Sequence, residues 1–145
     1  MYKLYIEKNT STKELLKKVM QELNINDEII FNDNGKPYFK NSSFYFNISH
    51  SGNYIVLAIS DKEIGVDIEK IKMNEKVAKK ICTESELKKI KTKDDFTKIW
   101  VMKESYVKYL GIGLSYGLKN VDTTKIKNFD IKKIEDYYIC VYNGE

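Results

Sequence analysis

Apolar and polar residues alternate with a period of two over YKLYIEK, Tyr2 to Lys8, which predicts an opening strand. The period lengthens in STKELLKKVMQELNI. There Ser11 or Thr12 can serve as N-cap, and Leu15, Leu16, Val19 and Leu23 fall on one stripe of a helix. NDNGKPYF, Asn32 to Phe39, reads as a turn built on Asn34-Gly35 and followed by the only proline. Three strands follow, FYFNISHS, NYIVLAIS and EIGVDIEK. They are separated by Ser51-Gly52-Asn53 and Asp61-Lys62, hairpin spacings that predict an antiparallel meander.

From Asn74 to Leu110 the period is helical. NEKVAKKIC is followed by TESELKKIK, where Thr83 opens a capping box that closes on Glu86, and then by DDFTKIWVMKESYVKYLG, ended by Gly111. On this last helix Ile99, Met102, Tyr106 and Leu110 form the expected apolar stripe, while Trp100, Glu104 and Lys108 line another side. DIKKIEDYYICVYN predicts two short strands around Glu135-Asp136. There is no low-complexity linker and no visible sequence repeat, so the class is α+β, strand-rich first and helical later.

A chain of 145 residues fits one domain, or two small lobes sharing a core. No apolar run approaches 18 residues and the N-terminus has no signal-peptide pattern, which sets the expectation of a cytoplasmic protein with no membrane role. Cys82 and Cys140 lack metal-ligand spacing and are expected as free thiols. The net charge of +4 is uneven: residues 1–75 hold 10 Lys against 11 acids, and residues 76–145 hold 15 against 10. Lysines interleaved with acids at helical spacing describe a solvated face, and no nucleic-acid partner is expected. There is no arginine, so any phosphate bound here is met by lysine ammoniums.

The most informative stretch is EIGVDIEKI, Glu63 to Ile71. In a strand Ile64, Val66 and Ile68 face one way, and Gly65, Asp67 and Glu69 the other. At roughly 5 to 6 Å and an effective dielectric of about 20, the two carboxylates repel by ~3 kcal/mol. Solvent and nearby lysines can offset this, and so can a hard cation given a third oxygen ligand. Glu104, on a helix flank beside the core, can be that ligand, or can simply pair with Lys108 four residues on. Lys36 in GKPY, and Ser49 and His50 in FNISHSG, suit either a ligand or ordinary loop and strand-end structure.

The series GKPYF, FNISHSG, IGVDIEKI and WVMKESYVKYLGIGLS closely resembles the motifs of the 4′-phosphopantetheinyl transferases, of the type that activates surfactin synthetase, over Asn34 to about Ser115. The resemblance implies Mg²⁺ held by Asp67, Glu69 and Glu104 and gripping the pyrophosphate of coenzyme A. It implies coenzyme A contacts from Lys36, Ser49, His50, Asp67, Lys103 and Lys108. The implied reaction transfers 4′-phosphopantetheine to a serine of an acyl or peptidyl carrier protein and releases 3′-phosphoadenosine 5′-phosphate. Glu104, directly or through a metal-bound water, is then the candidate base, and Lys108 the group that stabilises the leaving phosphate.

The 66 residues before Asp67 resemble the monomeric, pseudo-symmetric type of this family rather than the trimeric holo-acyl-carrier-protein synthases. The expected lobes are about 1–71 and about 72–145, with antiparallel strands and packed helices. That type has an additional arginine-rich N-terminal segment, which this sequence lacks ahead of the helix at Thr12. The alternative is a degenerate, non-catalytic homologue that binds carrier protein or nucleotide. The basic stretch Lys76–Lys93, with seven lysines against Glu84 and Glu86 around Val77, Ile81, Leu87 and Ile90, corresponds to the region that meets the carrier.

Overall fold

A computed structural model describes residues 1–113 and 117–144. The chain opens with β1 (Tyr2–Lys8) and α1 (Thr12–Glu22), whose N-cap is Ser11, its hydroxyl accepting from the Glu14 N–H. A short hairpin of β2 (Ile29–Phe31) and β3 (Pro37–Phe39) leads to β4 (Tyr45–Ser51) and β5 (Tyr54–Ser60). The three strands β1, β4 and β5 form an antiparallel sheet in the order β1-β5-β4. Leu15 and Val19 of α1 pack on Ile55, Leu57 and Ile59, one face of β5.

The second half begins with β6 (Gly65–Lys70), followed by α2 (Glu75–Ile81), α3 (Glu84–Leu87) and the 18-residue α4 (Lys93–Leu110). β7 (Asp130–Ile134) and β8 (Tyr137–Tyr142) complete a second antiparallel sheet, ordered β6-β8-β7. Each sheet is thus built strand, helix, strand, strand with the last strand in the centre. The sheets meet through Tyr54, Val56 and Ala58 on one side and Ile64, Val66, Ile68, Ile139 and Val141 on the other. With α1 outside the first sheet and α4 outside the second, β5 and β8 are covered on both faces, and β5 is buried along its whole length.

Three sequence expectations change here. The meander stops at β5, because β1 already occupies that strand's second edge, and β6 pairs with β8 instead. The change of sheet therefore falls between Ser60 and Gly65, ahead of the boundary near residue 71. The turn at Asn32–Phe39 proves to be the tip of a hairpin whose three-residue strands are too short to show a period. On α4 the buried set is Phe96, Thr97, Ile99, Val101, Lys103, Ser105 and Val107, whereas Leu110 of the expected stripe is 39% exposed. The helix is covered by β6 and β8 on one side and by the segments around Leu118 and Thr123 on another, so one apolar stripe cannot describe it. Among the described residues no helix is long and apolar enough to cross a membrane.

Candidate active site

The site lies where β6 meets α4. Gly65 permits that approach: a Cβ there would stand 2.0 Å from the Ser105 carbonyl oxygen and 2.5 Å from the Tyr109 nitrogen, so only a bare backbone fits. Val66 and Ile68 enter the core, and the intervening Asp67 turns to the helix side with only 3% of its surface exposed. Ser49 Oγ donates to Asp67 Oδ1 at 3.0 Å, and Lys108 Nζ lies 3.4 Å from the same oxygen and 3.1 Å from the Val66 carbonyl. Oδ2 is buried and accepts no hydrogen bond among the described residues. The neighbouring Glu69 carboxyl can share a hydrogen bond with Asp67 only when one of the two acids is protonated.

The three acids titrate abnormally. Burial holds Asp67 well above the usual carboxylate range; the Lys108 charge pulls it down and Glu69 pushes it up further. Glu69 and Glu104 are also raised, burial being the first cause, and the charge of Glu104 acts on Glu69 as that of Asp67 acts on Glu104. Among the described residues no three His, Cys, Asp or Glu side chains form a ready metal cage. The donor set nonetheless fits Mg²⁺, which typically takes one or two protein carboxylates plus water and substrate phosphates. The buried, unpartnered Oδ2 is the kind of oxygen such a cation satisfies.

Beside these acids is a cavity of about 330 Å³, lined by Gly35, Lys36, Pro37, Asn47, Glu104 and Lys108 among others. The hairpin forms one wall and is clamped to the end of α4. Asn32 and Asn34 each donate from Nδ2 to the Gly111 carbonyl at 3.0 Å, and Asn32 Oδ1 accepts from the Asn34 and Lys36 N–H groups. Gly111 itself is left-handed, φ 67°, and caps the helix.

Not every predicted site residue joins this cavity. Lys36 lines it, but its ammonium bonds Glu63 at 2.7 Å and the Ile64 carbonyl at 3.0 Å. Burial lowers its pKa, and the Glu63 charge opposes that shift. His50 is exposed and, by strand alternation, lies on the face of β4 opposite Ser49. Ser49 is directed at Asp67 and not at the cavity. Lys103 is a correction: its side chain is fully buried, 2.7 Å from Glu86, and donates to the carbonyls of Leu118 and Val121. It points into the protein because α4 is covered on that side as well. Leu114 and Ser115, the end of the last sequence motif, lie outside the described residues. Sequence reading missed Asn47, Asn32 and Asn34, whose amides bond backbone groups far along the chain and leave no periodic signal.

The sequence model of the 4′-phosphopantetheinyl transferase superfamily matches residues 63–141, which hold Asp67, Glu69, Glu104 and Lys108. Among individual relatives, "4'-phosphopantetheinyl transferase gsp" of Aneurinibacillus migulanus is 33% identical over 141 residues, covering 89% of this chain and 59% of the relative. "4'-phosphopantetheinyl transferase psf-1" of Bacillus pumilus is 36% identical over 65% of this chain and 45% of its own length. "4'-phosphopantetheinyl transferase Sfp" of Bacillus subtilis (strain 168) is 38% identical over 58% and 41%. The chain thus spans about half the length of the curated relatives it matches. With more than half of its residues matched, including the buried Asp67 and half-buried Glu69 of β6 and the glutamate and lysine of α4, the chain belongs to the 4′-phosphopantetheinyl transferase superfamily.

Proposed function

We propose that this chain transfers 4′-phosphopantetheine from coenzyme A to a serine of an apo carrier protein and releases 3′-phosphoadenosine 5′-phosphate, with Mg²⁺ bound. The carrying observation is one cavity that joins Glu104 and Lys108 of α4 to the Gly35-Lys36-Pro37 hairpin tip, next to the buried acid Asp67. Asp67, Glu69 and Glu104 are the residues that would hold Mg²⁺, which would supply charge neutralisation to the diphosphate.

In the reaction the carrier serine oxygen attacks the phosphorus that bears pantetheine. The bond from that phosphorus to the bridging oxygen of the nucleotide breaks, and the electron pair leaves with 3′-phosphoadenosine 5′-phosphate. Glu104, whose proton affinity burial raises, takes the serine proton, directly or through one water. Lys108, held by the Val66 carbonyl and Asp67, sits at the cavity wall, where its ammonium stabilises the leaving phosphate. Lys36 and His50 serve the nucleotide end. For Lys36 this requires the phosphate to share an ammonium now paired with Glu63. The proposal takes the enzyme to be a monomer that works in the cytoplasm.

The direct test is incubation with coenzyme A, Mg²⁺ and a panel of apo-carrier proteins, followed by mass spectrometry of the carriers. A gain of one phosphopantetheine group is the expected result. Coenzyme A binding without any transfer would favour the non-catalytic homologue instead.

The carrier surface is assigned to the stretch from α2 to the start of α4. All seven lysines from Lys76 to Lys93 are exposed, while Val77, Ile81, Leu87 and Ile90 are half-buried among them. Of the two acids within it, Glu86 is buried against Lys103, so the solvent-facing charge is more one-sided than the sequence suggests. A partner with an acidic and apolar surface suits this face, charges speeding encounter and apolar contacts slowing release. Changing Lys79, Lys80 and Lys89 together to glutamate is expected to lower kcat/KM for carrier at low salt by about tenfold, mainly through association, with the deficit shrinking as salt screens the field. Coenzyme A binding should be unaffected. Unaltered carrier kinetics at low salt would move the docking surface elsewhere.

A further inference from the structure

β1 is the outer strand of the first sheet and none of its seven residues is fully buried, whereas its neighbour β5 is buried throughout. The Asn9 N–H donates to the Asn53 carbonyl at 3.0 Å, which makes these two a hydrogen-bonded pair at the end of the ladder. Bonded pairs recur at every second position, so Lys3, Tyr5 and Glu7 turn their backbone groups to β5, opposite Ile59, Leu57 and Ile55. The backbone N–H and C=O groups of Leu4 and Ile6 therefore point away from the sheet. Among the described residues no further strand takes that edge.

The other sheet edges differ. β4 and β6 face each other, the N–H groups of Val66 and Ile68 going to Asn47 Oδ1 and Ser49 Oγ at 2.8 and 3.2 Å. A second copy of β7 laid antiparallel over its full length would set Lys132 against Lys132, and like charges directly opposite destabilise a strand pair. β1 is instead complementary to itself. Laid antiparallel on a second copy over its full length, Leu4 falls opposite Ile6, and the free backbone groups of each can bond those of the other. Lys3 falls opposite Glu7 in the non-bonded pairs, where side chains come closest. Both already meet an opposite charge on α1, Lys3 with Glu22 at 3.4 Å and Glu7 with Lys18 at 2.6 Å, so the pairing extends two surface ion pairs into an alternating row. On the other face Ile6, 37% exposed, is covered by Leu4 of the second copy.

We propose that two copies of this chain associate through β1, antiparallel and in full register, so that their first sheets become one continuous sheet. The joined edge lies across the sheet from β4, whose Asn47 and Ile48 line the cavity. Each chain keeps its own complete cavity, and the single chain remains the catalytic unit. One strand pair is small beside a standard protein interface, so the chain is a monomer when dilute and a dimer when concentrated.

The test is sedimentation velocity at physiological salt over about 10 to 500 µM chain, with the unmodified protein, Lys3→Glu, Glu7→Lys and Ile6→Pro compared and thermal melts establishing that each is folded. The unmodified chain is expected to rise from the mass of one chain towards that of two. Lys3→Glu and Glu7→Lys each set like charges opposite one another twice per dimer, and each alone should associate at least about tenfold more weakly. Mixed in equal amounts they should associate to within about threefold of the unmodified chain, because the acids of one then face the lysines of the other. Loss of a partner on α1 within one chain predicts no such rescue. Ile6→Pro removes an outward N–H and leaves the ladder to β5 intact, so it too should weaken association at least about tenfold. Should it fail to fold, the mixture decides. A chain that keeps the mass of one copy throughout overturns the proposal, as does a mixture no better than its components or a folded Ile6→Pro that associates normally. Association is read without coenzyme A or carrier, so its failure leaves the proposed reaction standing. A chain that pairs as expected but transfers nothing to any carrier refutes only that reaction.

Discussion

Asp67→Ala and Glu104→Ala are each expected to lower phosphopantetheine transfer by at least about two orders of magnitude, the loss of roughly 3 kcal/mol or more of transition-state stabilisation. Stability should respond differently. Burial raises the pKa of Asp67 in the folded protein above its unfolded value, so the native state binds this proton more tightly than the unfolded chain does. The carboxyl therefore costs nothing below the ordinary carboxylate range and costs stability progressively as pH rises from there towards the folded pKa. Deleting it removes that cost. Against a fixed loss of about 1–3 kcal/mol for the stranded Ser49 hydroxyl and Lys108 ammonium, the stability deficit of metal-free Asp67→Ala is thus expected to be smaller at neutral pH than at acid pH, although the variant is inactive. Added Mg²⁺ should stabilise the unmodified chain at neutral pH and leave Asp67→Ala unmoved, because the cation replaces the proton on the buried oxygen. Thermal melts at pH 4 and pH 7.5 with and without Mg²⁺, set beside the transfer assay, check this. Near-normal transfer by a folded Asp67→Ala would remove the acid from the reaction.

How much of this was legible in the sequence depends on the range of the forces involved. The alternation in YKLYIEK, the cap at Ser11 or Thr12, which falls on Ser11, the Thr83–Glu86 capping box and the Gly111 stop are local, and each element stands where its pattern placed it. The facing of Asp67 away from Val66 and Ile68 is local too, since it follows from the pleat alone. The partner of each strand edge is not a local matter. β6 leaves the meander because β1, more than fifty residues earlier, has already taken the free edge of β5. The matching order of the two sheets is topological, and it left no residue-level repeat to find. Within the site, Asp67 and Glu104 were legible as acids on a strand and a helix flank. The direction of Ser49 was not, because its hydroxyl answers to Asp67 and to Ile68 N–H on a strand of the other sheet.

Lys103 is the sharpest difference between the two levels. By spacing it is one more lysine on a charged helix, yet Nζ meets Glu86 and the carbonyls of Leu118 and Val121, using all three of its protons. The Glu86 carboxylate is equally saturated. Oε1 accepts from Lys103 and the Thr83 N–H, and Oε2 from the Thr123 N–H and hydroxyl at 3.0 and 2.6 Å. The pair thus ties α3, α4 and the segment through Thr123 together inside the protein. A buried pair contributes little over an apolar substitute, but removal of one member strands a charge and costs about 3–5 kcal/mol. Lys103→Met is therefore expected to lower Tm by about 10 °C, taking roughly 2–4 °C per kcal/mol for a chain of this size. Glu86→Gln should cost a similar amount, because an amide that keeps its oxygen on Thr123 turns its NH2 onto the Lys103 ammonium and the Thr83 N–H. In Lys103→Met with Glu86→Leu no charge is left behind, and the double variant should be more stable than the sum of the Lys103→Met and Glu86→Leu single losses by about 1–3 kcal/mol, measured as a double-mutant cycle in urea. Activity supplies the complementary reading. Lys103→Met, assayed well below its melting temperature, should keep coenzyme A affinity within about threefold, since its ammonium never enters the cavity. A protein that melts normally but binds coenzyme A at least about tenfold more weakly would return Lys103 to the phosphates and show that α4 turns when substrate binds.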